Sequence, residues 1–139
     1  VDTLAQFNDQ GQFSTWFDEH VEQIAQIIRQ LNPRNSRIHP GVKWGHATKI
    51  VAIFVRDLVI SSRYFSDTEA DRISFFLHVP IDSIVIDRLK KLGFNLPFKK
   101  IKEIDTRDKF YAVQEALTNA ALPHGIPRVW FDDNWGDRQ

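Results

Sequence analysis

Apolar residues recur at steps of three and four along most of this chain, and no segment alternates for long enough to require a strand. That period fixes the class before any other feature is weighed. Phe17, Val21, Ile24, Ile28 and Leu31 make one stripe, expected to start at a Ser14 or Thr15 cap and to stop at Asn32-Pro33. Ala47, Ile50, Val51, Phe54, Val55, Leu58 and Val59 make a wider one, which predicts a central core helix from Ala47 to Tyr64. Ser66 and Glu69 have capping-box spacing ahead of Ala70, Ile73, Phe76 and Leu77. Val79-Pro80 breaks that run, and Asp82 is placed to cap a helix that turns Ile81, Val85, Leu89 and Leu92 inward and ends at Gly93. Pro97 is expected to open a short basic helix through Ile104. Asp105 or Thr106 starts the last clear helix, with Phe110, Val113, Leu117 and Ala120 or Ala121 facing in. Pro123, Gly125 and Pro127 end it.

The expected architecture is all-α: a compact orthogonal multi-helix domain with a helix-hairpin-helix element. Residues 1–12 are expected to form a polar N-terminal arm and 13–128 the helical domain, with the hairpin at 38–49. Residues 129–139 are expected to form an aromatic and acidic tail, with an isolated bridge at Val129 to Phe131.

Composition excludes several function classes. With 139 residues the chain suits one domain, and its 11 Phe and 4 Trp suffice for a packed core. It has no Cys, which removes disulfides, thiolate metal sites and cysteine nucleophiles together and fits a reducing cytoplasm. No His-x-x-x-His pair is present among His20, His39, His46, His78 and His124, so no metal site or cofactor is expected. No apolar run is long enough to span a membrane. A chain that begins at Val1 and has no Met reads as a processed or truncated product. Net charge is zero, which argues against a strong phosphate-binding excess. The charge is polarised, however. Acidic residues gather before Leu31, and Lys90, Lys91, Lys99, Lys100 and Lys102 gather late.

Two residues carry candidate chemistry. A lysine amine can attack the anomeric carbon of a damaged nucleotide, but only when neutral; apolar burial and the positive end of a helix favour that form. Lys49, beside Ile50 and Ile53 at the expected start of the most apolar helix, fits those demands. Asp82, held rigidly behind Pro80, could stabilise the developing positive charge or move a proton. Trp44, Phe54, Trp130, Phe131 and Trp135 are the aromatic side chains that could stack on an extruded base.

These residues sit in two recognisable words. GVKWGHATKIVAIF resembles the hairpin of the helix-hairpin-helix DNA glycosylases, Leu-Pro-Gly-Val-Gly-x-Lys-Thr-Ala followed by an apolar helix, and IDSIVIDRLKKLGF is similar to their Val-Asp-Thr-His-Val-x-Arg-x-x-x-Arg-Leu-Gly-Phe stretch. Lys49 then falls on the nucleophile and Asp82 on the catalytic aspartate, with Arg88 near the helix arginine. The long Lys–Asp gap looks most like the archaeal 8-oxoguanine glycosylase branch. The chain departs from the pattern where Lys43-Trp44 separate Gly41 from Gly45 and where Ile50 replaces the Thr after the lysine. The resemblance implies a DNA glycosylase or lyase, with an oxidised purine as the candidate lesion, that needs no cofactor or catalytic metal. Its partner would be double-stranded DNA, its location cytoplasmic or nucleoid-associated. Gly41, Lys43, Gly45 and His46 would meet the DNA backbone, and Trp44, Trp130 or Trp135 would stack on the base.

Each of these residues also has a plainer reading. Asp82 can be only an N-cap, Lys49 a solvated residue on a helix edge, and the two glycines turn residues. Two alternatives therefore stand beside the enzyme: a non-catalytic helical module that binds DNA or a protein, and an accessory protein that docks a partner through exposed Phe17, Val21 and Ile24.

Overall fold

The computed structural model describes residues 1–31 and 40–132, and of residues 40–43 the backbone only. The described residues are helical, without strands. Six α-helices follow in order: α1 (Asp2–Gln6), α2 (Gln10–Leu31), α3 (Pro40–Arg56), α4 (Asp67–Ser74), α5 (Ser83–Lys91) and α6 (Arg107–Ala121). A π-helical turn at Asp57–Ser61 extends α3, and short 3-10 turns lie at Ile101–Glu103, Leu122–His124 and Arg128–Asp132. The all-α expectation holds.

Packing follows most of the apolar stripes, but Ile50 and Phe54 of the stripe expected to make α3 a central core helix are exposed. α2 lies along α3, and α6 carries the last 3-10 turn against it. Phe13, Phe17, Val21 and Ala25 of α2 are buried, as are Ala47, Val51, Ala52 and Val55 of α3. From α6 come Phe110, Val113, Leu117 and Ala121. Phe17 stacks on Phe110 with centroids 5.6 Å apart, and Trp44 meets Phe110 edge-on at 5.7 Å. Phe17 and Val21 are fully buried, so a docking role that needs them exposed is overturned.

Several local expectations are corrected. The polar arm of residues 1–12 is folded: Leu4 and Phe7 enter the core, and the Arg72 guanidinium donates to the Ala5 and Phe7 carbonyls. α2 starts before Ser14, because the Asp9 carboxylate accepts from the Gln12 amide at 2.9 Å. The span 97–104 holds only a 3-10 turn, and Val129 to Phe131 lies in another. The hairpin of 38–49 is, from Pro40 onward, the first turns of α3; residues 32–39 lie outside the described residues. Proline suits the first helical position because its missing N–H has no partner there anyway.

Other expectations match. Ser66 and Glu69 make both bonds of a capping box, and Thr106 caps α6 by accepting from the Lys109 amide. Gly93, at φ 91°, closes the α5 region in the left-handed conformation.

Candidate functional site

Lys49 is the tenth residue of α3, so it lies beyond the first turn and the positive helix end does not act on it. The side chain is half-buried, and among the described residues it makes no ion pair. Asp82 is the N-cap of α5. Its Oδ1 accepts from the Val85 amide at 3.0 Å, which fixes the carboxylate at the helix mouth. The capping reading of Asp82 is therefore realised, and a second role for the same carboxylate has to coexist with it.

The expected DNA-backbone residues are placed differently from a phosphate-gripping hairpin. Gly41 and Gly45 lie inside α3. Gly45 is buried, and a Cβ there would come within 2.8 Å of the Ile104 carbonyl and 3.3 Å of the Ile101 carbonyl. The glycine is thus required by the close crossing of α3 under the Ile101–Glu103 turn. Its carbonyl also accepts from the Thr48 hydroxyl at 2.7 Å. His46 is exposed. The Lys43 side chain falls outside what is described. The same crossing puts exposed Lys99, Lys100 and Lys102 on the side of the molecule where α3 begins. Glu103 lies among them, with a carboxylate oxygen bonded to the Lys99 and Lys100 amides at 2.8 and 2.7 Å. Those bonds hold its carboxyl below the usual range.

Of the expected stacking residues, Trp44 is half-buried on Phe110, while Trp130 is 47% exposed. Trp135 lies outside the described residues. Phe54, on α3, is 61% exposed. It borders an apolar groove of about 460 Å3 between α1, α2 and α3, lined by Leu4, Trp16, His20, Ile24 and Leu58 as well. Neither Lys49 nor Asp82 lines that groove.

A buried polar cluster was missed by the sequence reading. His78 sits among Phe13, Phe17, Phe110 and Tyr111, with ring centroids 4.6 to 5.4 Å away. Its Nδ1 is 2.8 Å from Arg128 Nη2 and its Nε2 is 3.4 Å from Ser14 Oγ. A guanidinium only donates, so Nδ1 accepts and the proton of the neutral ring is on Nε2. Burial, and then the charges of Arg128 and Arg107, hold the imidazole well below its ordinary pKa. At one edge of the cluster the Tyr111 hydroxyl donates to Asp18 at 2.7 Å, and Arg107 pairs with Asp18 at 2.6 Å. Burial, with the Asp18 bond behind it, pushes the Tyr111 phenol well up. The Gln114 side chain closes both backbone groups of Val79, at 2.9 Å each. The cluster joins α2, α6, the 76–79 connector and the last 3-10 turn, whose residues are far apart in sequence. No local periodicity could have revealed it.

Among the described residues no three His, Asp or Glu side chains are grouped to hold a metal ion, and no helix is long and apolar enough to cross a membrane. No protein-family model, curated protein or solved structure matches this chain.

Proposed function

We propose that this chain is a DNA base-excision glycosylase or lyase that acts on a damaged base, with Lys49 as nucleophile and Asp82 as its carboxylate partner. The observation that carries the reading is the state of Lys49: a half-buried side chain that makes no ion pair among the described residues, on the helix that the glycosylase-like pattern assigns to the nucleophile. An ion pair would favour the ammonium form, which cannot attack. Asp82 adds a carboxylate oriented by the Val85 amide at the start of the next family-like helix. In the reaction the Lys49 Nζ bonds to the sugar C1′, the bond from C1′ to the base breaks, and the base leaves with the bonding electrons. Asp82 stabilises the positive charge that develops on the sugar.

Asp82→Asn separates this role from capping, because asparagine is an equally good N-cap. The variant should melt within about 1 kcal/mol of the parent. It should lose base release from duplexes containing oxidised purines by about two orders of magnitude or more. Unchanged release in a folded variant, or no release by the parent across a panel of lesions, would remove Asp82 or the enzyme reading respectively.

A second reading is favoured by one observation, the enclosure of Gly41 and Gly45 within α3. Without a glycine hairpin to grip phosphate, the domain would be a non-catalytic module whose exposed Lys99, Lys100 and Lys102 meet DNA or a protein. Duplex binding that weakens steeply with salt, without turnover, would select that module with DNA as partner. No duplex binding at low salt would point to a protein.

A further inference from the structure

The cavity beside the end of α6 contains a positive charge that no carboxylate among the described residues cancels. It has a volume of about 380 Å3 and is lined chiefly by Phe75, Thr118, Leu122, Ile126 and Arg128. Its size is at the low end for small-molecule sites, which commonly combine apolar walls with a few fixed polar groups. Arg128 is the charged residue of that lining, and among the described residues its guanidinium is held by neutral acceptors only. Nε donates to the Leu77 carbonyl at 2.9 Å. Nη2 donates to the Phe76 carbonyl at 3.2 Å and to His78 Nδ1 at 2.8 Å. Nη1 donates to Thr118 Oγ1 at 3.0 Å. A guanidinium has five N–H groups, so one on Nη1 has no acceptor among the described residues, beside the exposed Thr118.

Geometry is thereby satisfied, but charge is not. The Phe76 and Leu77 carbonyls lie just past the C-terminus of α4, where a helix end supplies about half a negative charge. No carboxylate among the described residues cancels the remainder, and burial lowers the Arg128 pKa to about 10. Holding a half-buried cation with no anion beside it among the described residues is costly, and an anionic ligand would offset that cost.

We propose that this cavity binds a small amphipathic carboxylate. The carboxylate accepts the remaining Arg128 Nη1–H, and the hydrocarbon lies along Phe75, Leu122 and Ile126. This site is independent of Lys49 and Asp82, neither of which lines it.

Octanoate is the probe and octan-1-ol, of equal chain length, its neutral control. Both are titrated into the full chain at neutral pH and followed by amide NMR shifts. Octanoate should bind about tenfold more tightly than octanol, with shifts concentrated at 118–128. Arg128→Gln should abolish that preference. Because Arg128 also secures the 76–78 connector, Leu122→Trp is the second variant. Leu122 is 74% exposed, so a larger ring narrows the cavity mouth without disturbing the core. It should weaken octanoate binding by about fivefold or more with Tm unchanged. Equal affinity for octanol and octanoate would overturn the proposal. So would shifts confined to the α2–α3 groove, or a folded Leu122→Trp that binds as before.

Discussion

Two single residues show what tertiary contact demands of a position that local sequence describes otherwise. Gly45 reads as a turn glycine, yet it is a helical residue whose missing Cβ admits the Ile101 and Ile104 carbonyls. Gly45→Ala would gain about 1 kcal/mol of helix propensity. It would also force a methyl to 2.8 Å from a backbone oxygen that cannot swing away. Overpacking of this kind costs roughly 1–3 kcal/mol, so the clash should win and the urea midpoint should fall. A midpoint that rises would mean α3 does not cross this closely. His78 is the second case. Its folded pKa is held well below the 6.5 of a free imidazole. Below that value the unfolded chain binds a proton that the folded chain refuses, so stability falls as pH drops through the 6.5 region. Arg128 and Arg107 oppose its charging, while Asp18 is already committed to Arg107 and Tyr111. The loss between about pH 7 and about pH 5.5 should be close to 1 kcal/mol. Glu69 and Glu103, held low by the hydrogen bonds they accept, titrate below this window. Urea midpoints at the two pH values check it. His78→Gln should flatten the difference, and an equal slope in the variant would show that another group is responsible.

Among the elements, the long helices were legible and the joints were not. α2, α4, α5 and α6 follow their apolar stripes except at the last positions, where Leu31 and Leu92 are exposed, and Ser66, Asp82 and Thr106 are caps as their spacing implies. α1 has too few apolar residues to be read as a helix alone. It is held by Arg72, a side chain from the far end of α4. The start of α3 was misread because Pro40, Gly41 and Gly45 are all loop signals out of context, and because the contact that requires Gly45 comes from more than fifty residues downstream. The last 3-10 turn is tied to α3 in the same long-range way, by an Arg56–Asp132 ion pair in which the Asp132 side chain is only 3% exposed. Removing one partner of a buried pair strands the other charge. Arg56→Met should therefore cost about 3 kcal/mol in denaturant titration, well above a surface pair. A loss under about 1 kcal/mol would show that the pair is solvated in solution.

For the whole molecule, the helical class was readable from period alone, whereas the candidate site was readable only as a pattern. Lys49 lies in the middle of α3 rather than at its start, and Asp82 is the N-cap of α5. Where the pattern places a phosphate-gripping hairpin, the described residues form a continuous helix from Pro40, and exposed Lys99, Lys100 and Lys102 lie in and beside the turn that packs on it. If the excision reading holds, DNA is gripped by charge on an irregular segment rather than by backbone amides of a hairpin, and binding should depend strongly on salt. The buried His78–Arg128 cluster was invisible because its members meet only in the folded chain. The most direct test of the central claim is borohydride trapping on oxidised-purine duplexes, with the adduct located by peptide mass spectrometry. The account predicts a covalent adduct on Lys49 that Lys49→Gln abolishes while the variant stays folded. An adduct on another lysine, or none from a folded parent that binds the duplex, would contradict it.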